Sequence, residues 1–482
     1  MTKLRSAKSA LLIPLAAGVI GLAALAYWFW GGSSLPLALR GPGADQAPGV
    51  ASGGGNPVLA GKLIRAQGQP RPDGAASSES QLTNLSGAWP QFRGTNRDGT
   101  SRETVPLLRA WPAAGPRELW GIELGEGFAG AAVLQGRVYV MDYDREHRQD
   151  ALRCLSLADG HELWRYAYPV SIKRFHGITR TVPAVNDKFV VAIGPKCHVV
   201  CVDATTGELR WGMDLARQFG TTVPQWYAGQ CVLLEGDTVL LAPAGPKALL
   251  MAVKGETGEV LWQTPNPHGW KMTHSSITPV EFAGQREYVY CASDGVVGVS
   301  AKDGALLWET TEWKIKFATV PSPLALDGGR IFLSGGYDAG SLMLQLKQQG
   351  DRIVPETLFR LAPKIFGADQ HTPILYDNHI YGVRADGRFA CLTPDGKPVW
   401  ASDSSQQFGR GSFFLAQPEG VFFALNDSGL LRLIEATPAK CHLLAQARVL
   451  KGDDSWGPMA LAGGRLLARD STHMVCLDVA KP

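Results

Sequence analysis

The 482-residue chain contains no Cys-x-x-Cys-His, no Gly-x-Ser-x-Gly and no His-Glu-x-x-His. Those absences leave no attachment site for a covalent haem, no nucleophile elbow and no zincin helix. An Asp-x-Asp-x-Asp-Gly calcium loop is missing too, and Asp142-Tyr143-Asp144 reads as a solvated turn. Charge of one sign is scarce. The formal balance is +3, and Lys3, Arg5 and Lys8 supply all of it, so the remainder sums to +3 − 3 = 0. A neutral domain lacks the basic footprint of a nucleic-acid binder, and no nucleic-acid partner is expected. No aromatic residue occurs between Gly31 and Gly87, and no cysteine precedes Cys154, which excludes an N-terminal lipoprotein.

The N-terminus carries the one long apolar run. Residues 10–30 hold no charge and are rich in Leu and Ala. As a helix they would span roughly 32 Å, enough for a hydrocarbon core of about 30 Å. The basic residues at 1–9 predict a cytoplasmic tail, and Tyr27, Trp28 and Trp30 stand where an interfacial belt belongs. The expectation is a single-pass anchor in the inner (cytoplasmic) membrane, with the rest on the periplasmic side. Ala24-Leu25-Ala26 offers the alternative of a signal peptide cleaved after Ala26. Residues 31–87, dominated by Gly, Pro, Ser and Ala, are expected to form a disordered linker, because so little apolar surface cannot offset the entropy of ordering.

From residue 88 onward a period dominates. Trp164, Trp211, Trp262, Trp308 and Trp400 follow at intervals of 47, 51, 46 and 92, the last being twice 46. Each closes a run such as Asp203-Ala204-Thr205-Thr206-Gly207-Glu208-Leu209-Arg210-Trp211 or Asp303-Gly304-Ala305-Leu306-Leu307-Trp308. Glycine in a tight turn between alternating apolar stretches signals a hairpin. A position ten residues before the tryptophan (nine for Trp400) is held by Cys154, Cys201, Ala252, Gly298, Leu344, Cys391, Arg432 and Cys476, which counts eight units. The tryptophan is lost around Phe359 and Leu444, and the eighth unit has no room for a last strand. Glu118 to Leu124, with Trp120, supplies that strand from the N-terminal side. The fold class is therefore all-β: an eight-bladed β-propeller over 88–482, closed by an N-terminal strand, which removes exposed sheet edges at the seam.

The same register argues against a disulfide framework. Cys154, Cys201, Cys391 and Cys476 occupy one equivalent position in separate sheets, and Cys197 and Cys201 lie roughly 13 Å apart along one strand. Mostly free, buried thiols are expected, with a bridge among Cys231, Cys291 and Cys441 left open.

The repeat Asp-x-x-Thr-Gly-Glu-x-x-Trp at Asp203–Trp211 resembles the pyrroloquinoline-quinone (PQQ) type propeller repeat, found in quinoprotein alcohol dehydrogenases and in BamB-like propellers. The lead-in Trp89-Pro90-Gln91-Phe92-Arg93-Gly94-Thr95-Asn96-Arg97-Asp98-Gly99 is similar to one opening many exported propellers of this kind. The matching residues are turn and packing residues, so the resemblance speaks for fold more than for function. The dehydrogenase branch implies a vicinal cysteine pair, a calcium-binding Glu/Asn set and a catalytic Asp. No two cysteines here are adjacent. Catalysis has no recognisable residue set, and no catalytic or metal-binding residue is assigned.

What remains is the rim. Loops between blades carry aromatics beyond what turns require (Phe128, Trp226, Trp270, Phe317, Trp456) and cations beside them (Arg174, His176, Arg180, His274, Lys316, His371, Arg410). Arg174, His176, Arg180, Trp226, Trp270, His274, Lys316 and Trp456 form the candidate binding set. Trp120, Trp164, Trp211, Trp262, Trp308 and Trp400 are assigned to structure. Aromatic and cationic residues dominate binding hot spots, so the expected function is a tethered binding or scaffold module for a protein or peptide partner. The alternative is an oxidoreductase or sensor that takes PQQ or another quinone in the central funnel, because cations beside aromatic faces suit a planar anion.

Overall fold

The computed structural model describes residues 59, 61–65, 85–173 and 177–482. The apolar run at 10–30, most of the 31–87 linker, and Arg174 and His176 lie outside the described residues. Among the described residues no helix is long and apolar enough to cross a membrane.

The strands assort into eight sheets in sequence order around a ring, antiparallel except for one short parallel addition to blade 7. Blade 1 takes 132–134, 137–144, 149–156 and 162–169, and blades 2 to 7 repeat this four-strand meander. Blade 8 holds 460–462, 465–469 and 473–478, and its outer strand is Arg117–Glu123, paired antiparallel with His473–Asp478. The predicted closing strand is thus present, one residue earlier than expected.

The counted position faces the tryptophan across the ladder. Cys154 pairs with Trp164, Cys201 with Trp211, Ala252 with Trp262, Gly298 with Trp308, Cys391 with Trp400 and Cys476 with Trp120. A register shift follows in all six of these pairs, a bulge that turns the indole toward the next blade. There it lies on a glycine in the neighbouring hairpin. A methyl group added at Gly160 would come within 2.7 Å of the Trp120 ring, at Gly207 within 2.6 Å of Trp164, at Gly258 within 2.8 Å of Trp211, and at Gly304 within 2.4 Å of Trp262. These glycines also hold positive φ, 72–75° in each case, so both space and backbone conformation demand them. The indole N–H often completes the dock: Trp120 donates to the Leu157 carbonyl (3.0 Å) and Trp211 to that of Gly255 (2.6 Å).

The two missing tryptophans now have physical reasons. In blade 5 Phe359 replaces the indole and packs on Gly396 of blade 6. In blade 7 the rung that holds the indole elsewhere holds Ala445, opposite Leu433, and its neighbour, blade 8, takes its outer strand from the N-terminal side and offers no hairpin there. Trp308 also departs from the rule: it donates to the buried carboxylate of Glu287 in its own blade (2.5 Å).

All eight cysteines are unpaired, and seven are buried. The Asp142-Tyr143-Asp144 stretch is not a solvated turn but the end of strand Arg137–Asp144, with Asp142 buried against Arg153 (2.9 Å). The expectation of a disordered 31–87 also needs correction in part. Lys62–Arg65 forms a fifth, outer strand on blade 1, and Leu59 is buried beside it. The segment contributes few apolar atoms of its own, but blade 1 supplies a ready sheet edge and an apolar recess.

Candidate functional site

Residues 89–99, read from sequence only as a lead-in, fill the centre of the ring. Trp89 exchanges hydrogen bonds with Val133 of blade 1, and the Pro90 carbonyl accepts from Val185 of blade 2. The Gln91 side chain accepts from Leu234 N of blade 3 (3.1 Å). Arg97 donates to the carbonyls of Val232 (2.8 Å) and Ile277 (3.0 Å), joining blades 3 and 4. Arg93 donates to Thr372 O (2.7 Å) and Pro373 O (3.1 Å) at blade 6. Thr100–Ser101 then adds in parallel to the inner strand Phe413–Ala416 of blade 7, and the Glu103 carboxylate accepts from Gly463 N of blade 8 (2.9 and 3.0 Å). The coil is tight enough to put Arg93 (φ 65°) and Arg97 (φ 57°) in the left-handed region, which costs roughly 1–2 kcal/mol per residue. Burial depresses both guanidinium pKa values to about 10, and at neutral pH both stay charged. Their hydrogen-bond acceptors are backbone carbonyls.

This plug floors a cavity of about 210 Å³. Trp89, Phe92 and Arg93 contribute from the plug, and the walls come from the loops that enter the inner strands and, in blade 5, also from the turn that carries Tyr337. Phe128 comes from blade 1, Arg180 from blade 2, Trp226 from blade 3 and His274 from blade 4. Tyr337 from blade 5, Asp369 and His371 from blade 6, Arg410 from blade 7 and Trp456 from blade 8 complete the wall. Every blade therefore sends a side chain to one site, as propeller geometry requires.

Two aromatic groups face the space. Phe128 and Trp456 lie with centroids 4.9 Å apart; Arg180 sits over Phe128 at 5.1 Å and Arg410 over Trp456 at 5.9 Å. Trp226 stacks on Tyr337 (6.2 Å, 14°), which in turn meets Phe317 at 5.5 Å. Phe317 and Tyr337 are 62% and 49% exposed, so the second group forms an open apolar lip. Arg180 donates to the Trp226 carbonyl (2.6 Å), tying the two groups together. Asp427 positions the other side, accepting from Trp456 Nε1 (2.9 Å) and Arg410 N (2.5 Å), while Asp369 pairs with Arg410 (3.1 Å).

Three arginines against one aspartate line the cavity. Burial pushes Arg180 down to about 10, and holds His274 and His371 down to about 4, so both imidazoles are neutral at pH 7. The arrangement can attract an acidic group and pack an apolar body. It does not fit a calcium-bound PQQ. Arg93 and Arg410 already direct their donors to four carbonyls and to Asp369 respectively, and among the described residues no three His, Cys, Asp or Glu side chains cluster as a metal site.

A family profile described as outer membrane protein assembly factor BamB matches residues 73–222 and 148–402, together more than half of the chain. The chain belongs to the BamB family. Among solved structures, BamB from Moraxella catarrhalis superimposes on this BamB-family propeller with a TM-score of 0.52 at 12% identity, covering 75% of this chain and 100% of that one. The computationally designed Ika8 protein gives 0.49 at 13% identity, with 75% and 100% coverage. Quinohemoprotein alcohol dehydrogenase from Comamonas testosteroni gives 0.45 at 13%, covering 84% of this chain and 82% of that one. A comparison with curated protein sequences returned no match. At these identities the structural likeness concerns fold alone.

Of the residues singled out from sequence, the BamB-family propeller brings Arg180, Trp226, His274 and Trp456 to the cavity. Trp270 does not reach it: the ring is buried among the blade 3 and 4 core residues and packs on Gly295. Lys316 is exposed and lies over the Phe317 ring (5.5 Å), beside the mouth rather than within it. Arg93, Tyr337, Asp369 and Asp427 were missed as site residues. Tyr337 comes from a turn within blade 5, not from a loop between blades, and the plug residues stand outside the repeat altogether.

Proposed function

We propose that this BamB-family chain is a cell-envelope binding module, tethered to the inner membrane by its N-terminal apolar run, which captures a protein or peptide partner at the cavity mouth. One observation carries the reading: a closed-ended, aromatic and net-cationic cavity with an exposed lip formed by Phe317 and Tyr337. A partner side chain with an apolar body and an acidic tip suits both the stacked rings and the arginine excess. The family description names an assembly factor, a role that calls for a surface on which a partner can dock. An inner-membrane tether separates this chain from the outer-membrane setting in that description, so the partner is sought near the inner membrane.

The test is site-specific photocrosslinking in cells, with the probe at Phe317 or Tyr337 and, as a control, at Leu358, which is equally exposed (49%) on the outer strand of blade 5. A discrete adduct at the mouth positions alone is expected. Equal adducts at Leu358 would remove the mouth from consideration. Titration of PQQ, with and without calcium, is expected to give no saturation; saturable binding lost in Arg180→Ala would restore the quinone alternative.

A further inference from the structure

The outer edge of blade 1 differs from every other outer edge among the described residues, because a fifth strand is added to it. Lys62, Leu63, Ile64 and Arg65 pair antiparallel with Ala167, Tyr166, Arg165 and Trp164. Strand addition by itself reads no sequence, since backbone groups supply the hydrogen bonds. Here the alternate side chains do read one.

Within the strand Leu63 and Arg65 share a face, as the two-residue repeat requires, and Leu59 and Gly61 precede it against the same two blades. Leu59 is 1% exposed and fills a recess at the junction of blades 1 and 2, where Gly212 leaves room: an added methyl group would lie 3.2 Å from Leu59 N. Its carbonyl accepts a hydrogen bond from the Tyr166 hydroxyl (2.8 Å). Gly61 crosses the Tyr166 ring so closely that a methyl group there would sit 2.4 Å from it. Leu63 packs over Gly207, beside Trp164. Arg65 pairs with Glu208 (2.8 Å), an exposed contact that adds register more than affinity. Ile64, on the opposite face, is 42% exposed.

We infer that the outer edge of blade 1, with the recess at its junction with blade 2, is a peptide-binding groove that recognises an extended Leu-x-Gly-x-Leu-x-Arg segment, and that the chain's own residues 59–65 occupy it in cis. The groove is separate from the central cavity and does not depend on the function proposed for it. Covalent linkage gives the resident segment a millimolar-range effective concentration, so a free peptide of the same sequence competes poorly until the resident is disabled.

The test uses the full-length chain in detergent and a fluorescent synthetic peptide comprising residues 56–68. In a Leu59→Asp/Leu63→Asp variant, altered only in the segment and not in the blade, the peptide should bind saturably, at least about tenfold more tightly than to the wild type. A Gly61→Val peptide should bind about tenfold more weakly or not at all, and Tyr166→Phe in the same background should weaken binding about fivefold, the worth of one hydrogen bond. Absence of binding to a variant that still melts cooperatively would overturn the groove. Equal binding to wild type and variant, or indifference to Gly61→Val, would overturn its specificity. A wild-type dimer that the double substitution converts to monomer would overturn cis occupancy and assign the segment to a second copy.

Discussion

The tryptophan girdle and the central cavity are built from the same eight blades by opposite rules. In the girdle most blades repeat their neighbour: an aromatic ring lies on a glycine of the next hairpin at Trp120, Trp164, Trp211, Trp262 and Phe359, and at Trp120 and Trp211 a carbonyl takes the indole N–H. At the cavity neighbouring blades contribute different groups, running Phe128, Arg180, Trp226, His274, Tyr337, His371, Arg410 and Trp456 from blade 1 to blade 8. Repetition serves packing, because every inter-blade joint poses the same steric problem. A ligand would not share the eightfold symmetry, so a binding site is expected where the repeat breaks.

That contrast can be tested at both ends. The largest effect is expected from removing residues 1–124, which deletes both the plug and the closing strand: no cooperative melt should remain, whereas removal of 1–84 should preserve one. Equal melting of the two truncations would sink the closure assignment. Trp120→Ala should cost about 3–5 kcal/mol in denaturant unfolding, as a large-to-small change at a buried joint. Arg97→Met should cost about 2–4 kcal/mol, because the Val232 and Ile277 carbonyls would lose their donor inside the core.

The blade 4 exception gives a pH test. Burial lifts the Glu287 carboxyl from 4.5 to about 7, so the folded chain holds that proton more tightly than the unfolded one. Its contribution is full below pH 4.5 and is lost as pH rises towards 7. Glu287→Gln should therefore melt higher than the wild type at pH 8, by several degrees, with the gap closing towards pH 4.5. A gap that widens on acidification would show the assignment to be wrong. The smallest stability effect belongs to the mouth: Tyr337→Ser should shift unfolding by no more than about 0.5 kcal/mol while abolishing the crosslink through Phe317. Loss of stability without loss of the adduct would mark Tyr337 as packing.

Blade number, closure and thiol state were legible because the constraint that produces them is local and repeated. A glycine that must accept an indole leaves the same mark each time, and Cys154, Cys201, Cys391 and Cys476 mark the strand opposite. The plug left no such mark. Arg93 and Arg97 bind carbonyls, which every residue has, so nothing in their partners' sequence betrays the contact. Half of the candidate site was found by assuming that inter-blade aromatics face the axis; Trp270 shows the limit, since a loop residue can equally turn down into the joint. Leu59 and Lys62–Arg65 were hidden for another reason. A four-residue strand has too few apolar atoms to announce itself, and its order is borrowed from the edge it joins.

The plug and the closing strand also set a schedule for synthesis. Residues 89–103 and 117–123 are made before every blade, yet their partners reach as far as Gly463 and His473–Asp478 in the eighth. The earliest part of the propeller to be made is thus among the last to find its place. Contacts that span nearly the whole domain form slowly, so the ring cannot close while its C-terminal blade is still inside the ribosome. An N-terminal segment arranged in this way waits for blade 8 before its last hydrogen bonds can form.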